Sequence, residues 1–175
     1  SIDAFVSPEA TLPVQRHNKK TKLSKFFDGL ALNATRGTLG LTANSPTGVG
    51  VGIALIDSGI DPSLDFAGRI VGFYDFTNGQ NLPTAPSDEY GHGTHVAGLI
   101  GSNGVLYGYQ YQGVAPQVRF LGLRVLDSTG SGRTSDVVRA IEFAIANKDR
   151  FGIHIINLSL GHPIYEAASS DPLVQ

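Results

Sequence analysis

The chain has no cysteine, no methionine and no tryptophan in its 175 residues, and only 16% of it is charged. Without cysteine there is no disulfide framework and no thiol nucleophile; the compartment stays open, because exported enzymes also do without it. Without methionine there is no translational start, and with no leader segment the sequence is expected to be a processed or excised piece. Thirteen Lys and Arg stand against fifteen Asp and Glu, a net charge of −2, so no basic excess points to nucleic acid. No apolar run reaches the roughly 20 residues of a membrane span. What remains is 41% hydrophobic, enough for a globular core, with 22 glycines for tight turns and close backbone approaches.

Two of those glycines flank His92 in Gly91-His92-Gly93-Thr94-His95-Val96-Ala97-Gly98, which reads as a helix start carrying two histidines three residues apart. Histidine changes charge near neutral pH and is the usual general base, but it needs an orienting carboxylate. Val51-Gly52-Ile53-Ala54-Leu55-Ile56-Asp57-Ser58-Gly59 supplies one: an apolar run that ends in an acid and a glycine turn. Such a run predicts a central parallel strand buried on both faces, and an acid at its carboxyl end lies where open α/β sheets bind ligands. Asp57 is thereby placed to meet His92.

The segments Ile56-Asp57-Ser58-Gly59-Ile60-Asp61 and His92-Gly93-Thr94-His95-Val96-Ala97-Gly98 resemble the aspartate and histidine motifs of the subtilisin-like serine proteases, in the family's order. The resemblance runs from about residue 48 to about residue 161. It implies an α/β fold, a parallel sheet flanked by helices and incomplete in this chain. It also implies that Asp57 and His92 are the acid and base of an Asp-His-Ser triad. Gly130-Ser131-Gly132, within Ser128-Thr129-Gly130-Ser131-Gly132, resembles the family segment that pairs with substrate like an added strand; Ser159-Leu160-Gly161 resembles the wall across from it. The serine motif does not occur, and no Gly-x-Ser-x-Gly elbow replaces it. Ser58, Ser135 and Ser159 are accounted for as turn, cap and cleft wall. The oxyanion asparagine is unassigned, and Asn157, within a strand, is not a substitute. Family members often bind calcium near residues 102–113, but this loop has Tyr107, Tyr109 and Tyr111 and no carboxylate. Asp65 is the nearest match to a calcium ligand; structural calcium is compatible with the resemblance, no cofactor is required, and no residue is assigned to a metal.

Residues 1–46 are more polar, with Arg16-His17-Asn18-Lys19-Lys20-Thr21-Lys22 as a solvated cluster, and are expected to be an N-terminal extension or prodomain junction. Residues 1–15 are loosely similar to the end of a subtilase prodomain, and residues 23–32 suggest a short helix. Residues 47–175 are expected to form the N-terminal part of the catalytic domain. Gly48-Val49-Gly50-Val51-Gly52 is no dinucleotide loop, since it enters a strand instead of leaving one. Residues 69–75, 118–125 and 153–158 predict further strands, and residues 78–89 a surface loop. Residues 136–147 predict a helix with Val137, Ile141, Ala144 and Ile145 on one face and Ser135 or Thr134 as its cap.

The expected activity is that of a secreted endopeptidase of broad specificity acting on polypeptides, with the serine on a companion C-terminal segment, a prodomain as a further partner, and this chain inactive alone. The alternative is an inactive truncated fragment that binds peptides or a partner. A zinc site of His92, His95 and an acid is a weaker chemical rival, because zinc proteases space two histidines at i and i+4 around a glutamate. His95 is expected to pack, not react.

Overall fold

The computed structural model describes residues 2–3, 34–79 and 81–161. Its central strand is β2, Gly52–Asp57, in which all six residues are buried. Alternate side chains of a strand point to opposite faces, so the apolar run divides between two cores. Ile53 and Leu55 join Ile60, Phe66, Ala97, Val118 and Phe120 on one side. Ala54 and Ile56 join Phe76, Leu121, Leu123, Val137, Ala140 and Ala144 on the other. Each buried Leu, Ile, Val or Phe stabilises the fold by roughly 1.5–3 kcal/mol, which is why β2 needs no polar face.

Around β2 the sheet is ordered β4-β3-β5-β2-β7, with β3 Ile70–Asp75, β4 Leu82–Pro83, β5 Arg119–Arg124 and β7 Ile153–Leu158. The pairs β3–β5, β5–β2 and β2–β7 are parallel, and only β4 runs antiparallel, against the end of β3. Helix α2, His92–Gly101, brings Ala97 to the first core. Helix α3, Thr134–Ala146, brings Val137, Ala140 and Ala144 to the second. A short α1, Ala34–Thr38, precedes the sheet, and α4, Lys148–Phe151, precedes β7. The expected α/β class, a parallel sheet with helices on both faces, is the observed one.

Several local expectations are corrected. Helix α3 begins two residues early. Its N-cap is Arg133, whose carbonyl accepts the N–H groups of Asp136 and Val137, so Thr134 and Ser135 lie inside the helix and do not cap it. Ile145 is 60% exposed. At 3.6 residues per turn it lies about 80° round from Val137, beyond the contact face made by positions 137, 140 and 144. The surface loop after β3 contains a 3₁₀ turn, Thr77–Gly79, and the added strand β4. At the other end of the chain, β1, Ile2–Asp3, pairs antiparallel with β6, Ser131–Gly132. The helix expected at 23–32, the basic cluster and the rest of the N-terminal extension lie outside the described residues.

Candidate active site

The parallel register brings the ends of three strands level: Asp57 of β2 faces Arg124 of β5, which faces Asp75 of β3. Asp57 is fully buried there. Its Oδ1 accepts hydrogen bonds from the Ser58 N–H at 2.7 Å and from His92 Nδ1 at 2.7 Å. Its Oδ2 is buried with no hydrogen-bond partner. Burial raises the Asp57 pKa above the usual carboxylate value, and the His92 and Ser58 hydrogen bonds offset this only in part. Donation of Nδ1–H to the ionised carboxylate fixes the tautomer that leaves Nε2 as an acceptor. The ring is 18% exposed, so that acceptor can be reached.

The approach of helix to strand end depends on two glycines. A Cβ on Gly93 would lie 2.1 Å from the Gly59 carbonyl oxygen and 3.1 Å from the Asp57 Cβ. A Cβ on Gly59, whose φ is +139°, would lie 2.0 Å from the Ser87 carbonyl oxygen. The first turn of α2 thus rests directly on the backbone that follows Asp57. We expect Gly93→Ala to push the helix away, lowering stability by about 1–3 kcal/mol as overpacked sites do and opening the 2.7 Å contact. A variant with an unchanged melting temperature and full activity would refute this packing account.

Both proposed substrate-binding segments lie at the same edge of the sheet as Asp57. Gly132 bridges to Leu126, whose N–H, with that of Val125, points to the Asp57 carbonyl. Asp127 accepts from Thr129 and Ser131 N–H groups and shapes the turn before β6. Ser159, Leu160 and Gly161 follow β7, which runs parallel to β2; Leu160 packs on the second core and Gly161 is exposed. One outcome was not legible in sequence: the edge offered by Ser131 and Gly132 already pairs with an extended segment, β1 of this chain.

His95 departs from expectation. It is exposed and lines a groove of about 430 Å³ with Asp65, Phe66, Leu99, Tyr107 and Tyr111, a groove that includes neither Asp57 nor His92. Position 95 is one turn along the helix but on its exposed side, facing that groove. Among the described residues no three His, Cys, Asp or Glu side chains are arranged to hold a metal ion.

Asp65, the nearest match to a calcium ligand, makes hydrogen bonds of its own: it accepts from the Ser102 hydroxyl at 2.9 Å and the Leu106 N–H at 3.0 Å. The Arg69 guanidinium donates to its carbonyl.

Sequence reasoning takes Asp88 only as part of the surface loop 78–89. Its Oδ1 accepts from Ser58 Oγ at 2.8 Å and Gly91 N–H at 2.8 Å; its Oδ2 accepts from the Thr94 N–H at 2.7 Å and Thr94 Oγ at 2.6 Å. Burial opposes its charge, but the Thr94, Gly91 and Ser58 bonds outweigh that and hold the pKa below the usual value. Arg124 was also missed. It donates to Asp75 at 2.6 Å and to Glu89 at 2.7 Å, tying the loop to the sheet. The only sequence signal for Asp88 was an acid shortly before a helix whose N-cap, Gly91, has no side chain to cap with.

A mostly parallel sheet with helices on both faces thus holds a buried carboxylate and a solvent-reachable imidazole paired at its carboxyl edge, an arrangement able to move a proton. The chain belongs to the subtilase family, peptidase S8, whose profile matches residues 48–173. Serine protease AprX of Bacillus subtilis is 41% identical over 134 residues, 74% of this chain and 30% of that protein. Minor extracellular protease Epr of the same organism is 38% identical over 115 residues, 66% of this chain and 16% of its own length. Among solved structures, sphericase superposes with a TM-score of 0.65 at 29% identity, covering 77% of this chain and 45% of that one. The chain thus spans less than a third of the length of these two relatives. Among the described residues no helix is long and apolar enough to cross a membrane.

Proposed function

We propose that this chain supplies the acid and the base of a serine endopeptidase, Asp57 and His92, and that the nucleophilic serine lies on a companion C-terminal segment. The observation that carries the reading is the 2.7 Å bond between a fully buried Asp57 and the Nδ1 of a reachable His92. In peptide hydrolysis His92 Nε2 takes the proton of the attacking serine hydroxyl and later gives it to the leaving amine. Asp57 holds the ring and stabilises the imidazolium that forms. Its unpartnered Oδ2, in a site of low polarity, makes that positive charge worth more than it would be beside a fully hydrated carboxylate. No cofactor is needed for these steps.

The substrates are extended polypeptides. Gly130, Ser131 and Gly132 form one side of the cleft and Ser159, Leu160 and Gly161 the other. Main-chain pairing at such an edge gives affinity with little demand on sequence, and the antiparallel β1–β6 pairing supports its readiness to accept a strand. Residues 1–46, which include β1, are read as the extension or prodomain junction, and secretion fits the extracellular relative. The test is cleavage of an unfolded protein by the intact enzyme, blocked by a fluorophosphonate that labels the companion serine. Binding of peptides without labelling or cleavage would establish the inactive binding fragment instead.

Substitutions on the β6 side test the cleft. Gly130 has φ +78° and a Cβ there would meet the Tyr90 ring at 2.4 Å, while one on Gly132 would meet the Val125 carbonyl at 2.3 Å. Bulky residues at either position therefore distort the edge itself, not only its outer face. The KM for an extended peptide is expected to rise by about tenfold or more, while a minimal ester, which hardly uses the edge, changes little. Equal effects on both substrates would refute the role.

A further inference from the structure

The geometry points to Asp88 as a positioning residue for His92, a carboxylate that locks the helix of the base to the turn of the acid. This rests on the proposed roles of Asp57 and His92 only for why the lock matters. The contact between α2 and the Asp57 turn is made by two glycines, Gly59 and Gly93. Glycines allow the close approach but offer no side chain that would stop the helix from sliding. Hydrogen bonds help to set the register, and Asp88 holds the Ser58 and Thr94 hydroxyls through which two of them are made.

One oxygen of Asp88 takes the Ser58 hydroxyl, from the residue after Asp57, and the Gly91 N–H, from the residue before His92. The other takes the N–H and hydroxyl of Thr94 in the first turn of the helix. Ser58 Oγ, oriented by that donation, accepts the Gly93 N–H at 3.0 Å, and Thr94 Oγ accepts the Asp61 N–H at 2.9 Å. The residues on both sides of His92 are thus fixed to those on both sides of the Asp57 turn. Glu89, next to Asp88, is held by Arg124, which also holds Asp75 at the end of β3, so the carboxylate is anchored to the sheet and does not float on its loop. A shift of the helix by about 1 Å would break the 2.7 Å pair, and misplacements of that size cost on the order of 10²-fold in rate.

The experiment compares Asp88→Asn, Ser58→Ala and Asp65→Asn in the intact enzyme. Asp65→Asn is the control: Asp65 accepts from Ser102, which follows the last residue of the same helix, and from Leu106 in the turn beyond it, so its loss loosens the far end of α2 without touching the lock. The readouts are kcat and KM for a short substrate, the melting temperature, and the downfield proton resonance of His92 Nδ1–H, assigned by its loss in His92→Ala. We expect Asp88→Asn to lower kcat by about 10- to 100-fold with KM nearly unchanged and to broaden or shift the resonance. Ser58→Ala, which keeps the carboxylate and serves if Asp88→Asn folds poorly, should act in the same direction but less. Asp65→Asn should lower the melting temperature and leave kcat and the resonance alone. A wild-type resonance and kcat in Asp88→Asn, or changes that follow the melting temperature across all three variants, would overturn the inference. The resonance judges Asp88 even without activity, whereas full proteolysis by His92→Ala would sink the function and leave this test standing.

Discussion

Replacing His92 by alanine is expected to remove essentially all peptidase activity of the assembled enzyme, by about 10⁶-fold in kcat, and Asp57→Asn to remove somewhat less, on the order of 10⁴-fold; both magnitudes are those found for subtilisin itself. The geometry explains the order. Without the imidazole the serine proton has no acceptor, and Asp57 is left fully buried with Oδ2 already unpartnered and Oδ1 bonded only to the Ser58 N–H. Burial already raises its pKa, so losing His92 favours the neutral acid further and no second base appears. In Asp57→Asn the ring stays in place, but a carboxamide NH₂ can donate to Nδ1 and fix the wrong tautomer, with the proton on Nε2. Residual activity then reflects the minor population of correctly oriented rings. Melting temperatures of both variants should stay close to that of the parent, which separates loss of chemistry from loss of fold. A near-normal kcat in His92→Ala would end the assignment of the base.

The features readable in the sequence were those set by neighbours along the chain. The run from Val51 to Ile56 reads as a strand covered on both faces, and β2 is built that way; of the two glycines that flank His92, Gly93 is the one that meets the Gly59 backbone. What escaped depends on partners distant in sequence. Asp88 is an ordinary loop acid until Ser58, thirty residues earlier, is folded against it. Ile145 fits a helical apolar pattern, but the buried face is chosen by what β2 and β5 present, and small Ala140 and Ala144 suit that surface. Position 95 reads as packed from its apolar successors, yet whether a helix position is covered depends on what lies above it. The antiparallel pairing of Ile2 and Asp3 with Ser131 and Gly132 joins segments more than a hundred residues apart, which no periodicity reports. Asp57 and His92, by contrast, could be paired in advance, because a strand end and a glycine-flanked helix start each restrict where their side chains can go.

The second large effect concerns the edge of the sheet. Among the described residues β7 pairs only with β2, so its other side is an open edge, and Ile155 and Leu158 are 51% and 43% exposed. A parallel sheet is stable when both of its faces are covered, and an open apolar edge strand is a template for another chain. The proposed companion segment carrying the serine is the natural occupant, since a strand added beside β7 would continue the sheet and bring its carboxyl end toward Asp57 and His92. Alone, the 175-residue chain is therefore expected to bind a hydrophobic dye strongly and to self-associate, and supplying the companion segment should suppress both. A fluorophosphonate should label the companion and never this chain, because Ser58 is buried and committed to Asp88 and Gly93, and Ser159 donates to Asn157. A monodisperse isolated chain that melts cooperatively, or labelling of any of its serines, would show that the edge is already complete and that the nucleophile must be sought within it.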